Sequence, residues 1–68
     1  MVYVVGWTWK QVKNYATEHK LGSMDYRWVD RPEQLMGIDN PQVVFLPGWK
    51  NLPQAEAIAE VALQRQNR

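Results

Sequence analysis

Two stretches of the chain are apolar without interruption: Val2-Tyr3-Val4-Val5, which ends at Gly6, and Val43-Val44-Phe45-Leu46, which ends at Pro47-Gly48. Short β-branched and aromatic runs bounded by turn residues predict strands covered on both faces. Between them, Met24-Asp25-Tyr26-Arg27-Trp28-Val29 alternates, with Met24, Tyr26 and Trp28 on one side. That pattern predicts a half-exposed edge strand.

Each predicted strand is followed by helix-start chemistry. Thr8 precedes Gln11 by three residues, Asp30 precedes Glu33, and Asn51 precedes Gln54. In such pairs a short polar side chain accepts from free backbone N–H groups while a longer one reaches back. Pro32 and Pro53 fall in the first turns, where a missing N–H costs nothing. The pattern predicts a helix from about Trp9 to Lys20, stopping at Gly22, with Val12, Tyr15, Ala16 and His19 on one face. A short capped segment follows over Arg31 to Met36, and a last helix runs from about Pro53 to Gln64 with Ala55, Ile58, Ala59 and Ala62 inward. Residues 65–68 are expected to form a frayed tail.

Strand, helix, strand, short helix, strand, helix is the order of a parallel α/β sheet. Two fully apolar strands cannot both be edges of three, and placing the first in the centre gives the order 2-1-3. The expectation is one domain over residues 1–68, a minimal, reduced Rossmann-like unit with three parallel strands. In such a sheet ligands bind beyond the carboxyl ends of the strands, at the point where the strand order reverses. Gly6-Trp7-Thr8-Trp9 and Pro47-Gly48-Trp49-Lys50-Asn51 are delivered there. Trp7, Thr8, Trp9, Trp49, Lys50 and Asn51 are therefore the candidate ligand- or partner-binding residues, with Trp49 facing Trp7 or Trp9 across the reversal point. Each also has a plain structural role available: a tryptophan can lid the core, Thr8 and Asn51 can cap helices, and Lys50 can sit in solvent. Tyr26 and Trp28 on the edge strand form a second candidate interface, through which the chain could pair with a copy of itself.

Size changes the picture. A chain of 68 residues buries only about 60% of its unfolded surface, and proteins this small lean on disulfides, metals or a partner chain. With no cysteine and one histidine, neither a disulfide nor a zinc site is expected, which leaves good packing or self-association. Eight basic against seven acidic residues, net +1, is too even to imply a nucleic-acid or membrane surface. Lys10, Lys13 and Lys20 share one helix, but Glu18 dilutes the patch. The opening residues lack the apolar core of a secretory signal and no run approaches a membrane span, so the expected compartment is the cytoplasm.

Catalytic chemistry is thin. No Ser or Cys is placed to pair with His19, and one glycine precedes the first helix where a dinucleotide fold needs three. No catalytic residue, metal or cofactor is expected.

The segment Val43-Phe45-Leu46-Pro47-Gly48-Trp49, followed by a helix with Ala55 and Ala62, resembles the last strand–helix unit of the nucleoside deoxyribosyltransferase-like family. It is especially similar to small phage and bacterial members with a Leu-Pro-Gly-Trp turn. The resemblance covers about a third of the chain and implies an open parallel α/β sheet. In the family a helix-borne glutamate cleaves the N-glycosidic bond of nucleosides. Here Gln54 stands at the family's glycine and Ile58 at its glutamate, with Glu56 and Glu60 two residues to either side. Two residues along a helix is a rotation of about 200°, so neither points where Ile58 points, and the resemblance implies the fold without the nucleophile. The overall pattern also looks like short accessory proteins of actinobacterial phages. The leading expectation is a non-catalytic accessory protein that contacts itself, as a homodimer, or a host protein through exposed aromatics. The alternative is a nucleotide or nucleoside held at the rim between Trp7 and Trp49, with vestigial glycosidase activity through Glu56 or Glu60 behind it.

Overall fold

The computed structural model describes residues 1–66, and the side chains of residues 1–65. The elements run β1 (Val2–Val5), α1 (Trp9–Glu18), β2 (Tyr26–Val29), β3 (Gln42–Phe45) and α2 (Ala55–Gln66), with short 3₁₀ turns at Pro32–Gln34, between β2 and β3, and at Trp49–Asn51, between β3 and α2. The sheet is parallel throughout, in the order β2-β1-β3. Val2 to Val5 lie opposite Tyr26 to Val29 on one side and Gln42 to Phe45 on the other.

The unbroken apolar run of β1 follows from this position. Val4 faces α1 and packs with Val12 and Leu46, whereas Val5 faces α2 and packs with Val29, Leu35, Ile58 and Ala62. Both valines are fully buried, because successive side chains of a strand point to opposite faces and each face of this one carries a helix. Ala55 and Ala62 let α2 lie close to the sheet while Ile58 fills the centre of that layer.

Gly6 ends β1 inside the core. A Cβ there would lie 2.8 Å from Val12 Cγ2 and 3.3 Å from Leu46 Cδ1, so only glycine lets α1 come down on the strand end.

Element boundaries differ from the sequence expectation where backbone chemistry intervenes. Helix α1 stops at Glu18 rather than Lys20: Lys20 turns left-handed (φ 57°) and the Leu21 N–H reaches back to the Ala16 carbonyl at 2.8 Å. This six-to-one closure ends a helix before the following Gly22 is needed. Strand β2 starts at Tyr26, and Met24 lies in the preceding turn. The Arg31–Met36 segment forms only the Pro32–Gln34 turn, and its reaching residue is Gln34, not Glu33. Asn51 does not cap α2: it closes the second 3₁₀ turn, Pro53 falls in the link, and α2 begins at Ala55. At the other end α2 continues through Arg65 and Gln66, and the Arg65 carbonyl accepts from the Asn40 N–H at 3.2 Å. Of the expected tail, residues 67–68 lie outside the described part. Among the described residues no helix is long and apolar enough to cross a membrane.

Candidate functional site: the carboxyl rim of the sheet

The two segments that leave the sheet at its carboxyl end are tied together by one side chain. Thr8 caps α1, its Oγ1 accepting from the Gln11 N–H at 3.2 Å. Gln11 then reaches back past the cap, its Oε1 accepting from the Trp7 N–H at 3.1 Å while its Nε2–H donates to the Pro47 carbonyl. The β1–α1 link and the turn after β3 are thus held by a single amide. Gly48 also lies against Trp7: a Cβ on Gly48 would be 3.7 Å from Trp7 Cβ.

The turn after β3 explains the tryptophan that follows Pro-Gly. The Trp49 N–H donates to the Leu46 carbonyl at 3.1 Å, and Gly48 has φ 87° and ψ 0°. These are the marks of a type II turn, with proline second and glycine third. The turn sends Trp49 back over the α2 face, where its ring meets Phe45 at 4.7 Å and packs on the core. Lys50 places its Nζ 5.9 Å from the centre of the same ring, a cation–π distance. Trp49 therefore does not close a crevice with Trp7 or Trp9.

The α1 side of the rim is different. Trp7 and Trp9 are each 48% exposed. Trp9, the first residue of α1, lies against Tyr26 (centroids 6.1 Å apart, planes 19°) and Trp28 (6.0 Å, 42°). Trp28 is anchored beneath it, its indole N–H donating to the Gly6 carbonyl at 2.9 Å. Tyr26 and Trp28 are half-buried, so this second candidate surface serves mainly as the support on which Trp9 stands. Its strand edge is also occupied: Gln34 Nε2–H donates to the Trp28 carbonyl at 3.2 Å, and Gln34 Oε1 accepts from the N–H groups of Asp30 (2.8 Å) and Arg31 (3.1 Å).

Two open concavities flank the rim. One, about 470 Å³, lies at the start of α2 between Lys50, Pro53 and Glu56; the other, about 340 Å³, lies between α1 and the β3 exit, at Tyr15, Leu46 and Pro47. Trp7, Trp9 and Trp49 line neither. Among the described residues no group of three His, Cys, Asp or Glu side chains is placed to hold a metal. His19 stacks on Tyr15 at 4.1 Å at the far end of α1. Ile58, at the position where the resemblance expects glutamate, is fully buried, while Glu56 and Glu60 are exposed.

Gln11 and Gln34 are the residues that organise this end of the molecule, and neither was among the candidate site residues. Gln11 carried a signal as the third helical residue after Thr8. Gln34 carried none, because its target is a strand edge that becomes visible only when β2 is placed. No protein-family model, curated protein or solved structure matches this chain.

Proposed function

We propose that this chain is a small non-catalytic binding protein, of the accessory type that phages encode, and that it docks on a protein partner through Trp7 and Trp9. The observation that carries the reading is the division of the four tryptophans. Trp28 and Trp49 are packed, while Trp7 and Trp9 each leave about half of their surface open to solvent at the rim.

The Trp9 ring and the Trp7 backbone are held before any partner arrives. Trp7 has its backbone N–H fixed by Gln11, and Trp9 is braced by Tyr26 and Trp28. An aromatic anchor that is already ordered loses little entropy on binding, and tryptophan is among the commonest interface hot spots. The partner that fits is a protein surface with an apolar depression flanked by polar groups. A buried Ile58 at the family's glutamate position supports a role without glycosidic chemistry.

Nucleotide binding draws less support. The concavity beside Lys50 also holds Glu56, so a phosphate there would meet a carboxylate, and no exposed tryptophan lines it for stacking.

The test is capture from a host-cell extract on immobilised protein. Wild type is compared with the Trp7→Ala/Trp9→Ala double variant and with Met24→Ala, a change at an 83% exposed apolar residue away from the rim. Proteins retained by wild type and Met24→Ala but lost by the double variant are the expected result. Identical retention by all three would refute the reading, as would strong quenching of tryptophan emission by millimolar nucleotide with no protein retained.

A further inference from the structure

The two edges of the sheet are not equivalent. At β2 the outward backbone groups near the strand end are taken by the Gln34 amide, and Asp25, Arg27 and Asp30 put charge on and beside the edge. Charged residues and covering groups are among the devices by which natural proteins prevent edge-to-edge pairing.

At β3 neither device is present among the described residues. No Asp, Glu, Lys, Arg or His occurs from Asn40 to Trp49, and among the described residues β3 pairs with β1 alone. The Leu46 N–H points to the Val5 carbonyl at 2.9 Å. By alternation the backbone groups of Val44 also point inward, and those of Val43 and Phe45 point outward. Pro41 before the strand and Pro47 after it have no N–H, so the edge offers two donors, Val43 and Phe45. The side chains beside it are apolar and partly open. Phe45 is 38% exposed on the α2 face, and Val44 is half-buried on the α1 face, where α1 leans towards β2.

We infer that the β3 edge is a homodimer interface, with two copies pairing antiparallel about a two-fold axis through Val44 to form a six-stranded sheet. A second copy is the occupant these features fit, because an antiparallel edge pair is self-complementary under a two-fold. With the axis at Val44, Val43 of each copy exchanges both backbone hydrogen bonds with Phe45 of the other. This is the one register in which every hydrogen-bonding pair lies within the strand. Phe45 is then covered by Val43 of the second copy on the α2 face, and the two Val44 side chains meet on the α1 face. Neither paired strand carries a charged side chain. Small chains without disulfides or metals commonly find part of their stability in self-association. The paired residues, Val43 to Phe45, include neither Trp7 nor Trp9, and a dimer would present that pair twice.

The absence of cysteine makes the register directly testable. In the proposed pair Val44 and its equivalent form a non-hydrogen-bonded pair with Cα atoms about 4.5 Å apart, inside the ~4.4–6.8 Å range of disulfides. The two Gln42 residues lie roughly 14 Å apart, four strand steps out of register. Val44→Cys is expected to form a covalent dimer under mild oxidation, and Gln42→Cys and Arg27→Cys are expected not to. The unmodified chain should sediment with a concentration-dependent mass approaching twice the monomer. Phe45→Lys should return it to monomer with its circular dichroism unchanged. A chain that stays monomeric to millimolar concentration overturns the inference. So does cross-linking of Val44→Cys no faster than of Arg27→Cys. If Val44→Cys loses the native circular dichroism, the sedimentation of the unmodified chain decides alone.

Discussion

Gly48→Ala isolates the device that sends Trp49 onto the core. A Cβ at this position would sit 3.6 Å from Asn51 Nδ2 and 3.7 Å from Trp7 Cβ, which is ordinary contact, so space is not the obstacle. The obstacle is the backbone. Gly48 has φ 87°, and an L-residue with a Cβ is disfavoured in the left-handed region by about 1–2 kcal/mol. Alanine also restricts the unfolded chain, which offsets about 0.4–1 kcal/mol of that cost. The net loss should be about 1 kcal/mol. In a domain of this size that corresponds to a melting temperature about 4–8 °C lower. Asparagine tolerates the left-handed region better, so Gly48→Asn should lose less than Gly48→Ala. Thermal denaturation followed by circular dichroism gives both values. An alanine variant as stable as the parent, or an asparagine variant less stable than the alanine one, would refute the turn as described.

Lys20, left-handed at the end of α1 with φ 57°, should show the opposite sign: Lys20→Gly should raise stability by up to about 1 kcal/mol in urea titration, and a loss would contradict the closure. Gln34→Ala removes the hydrogen bonds to Asp30, Arg31 and Trp28 and should cost about 1–2 kcal/mol at this part-exposed site. Hydrogen exchange at the Asp30 amide should accelerate with it, and unchanged exchange would mean that the edge is not plugged. Ile58→Ala, at the centre of the α2 layer with no exposed surface, should cost about 2–5 kcal/mol. A loss below about 1 kcal/mol would place Ile58 outside the core.

The parallel sheet was legible because Val2–Val5 and Val43–Leu46 are both continuous apolar runs, which cannot both be edges of three strands, and β1 is the one that takes the central place. The first cap was legible too, since Thr8 and Gln11 lie three residues apart immediately after a strand-ending glycine. The Asp30–Glu33 and Asn51–Gln54 pairs have the same spacing and do not act as caps. In the first case Gln34 carries an amide that donates to the Trp28 carbonyl and accepts from two N–H groups at once, whereas the carboxylate of Glu33 has no donor. In the second the type II turn spends Gly48 and Trp49 on a 3₁₀ step, so Asn51 arrives too early to cap α2. The fate of the tryptophans was the least legible part. Whether an indole lids the core or stands in solvent depends on which face the preceding turn delivers it to. That is decided at Trp49 by the positive φ of Gly48, and at Trp9 by the position of β2 beneath α1.

The central claim is that the four tryptophans divide into a presented pair, Trp7 and Trp9, and a packed pair, Trp28 and Trp49. The most direct measurement is ¹⁹F NMR of protein labelled with 5-fluorotryptophan, with each resonance assigned by single substitution and a soluble nitroxide added. The account predicts that the Trp7 and Trp9 resonances broaden strongly while those of Trp28 and Trp49 are largely spared. Protection of Trp7, or equal broadening of all four, would contradict it.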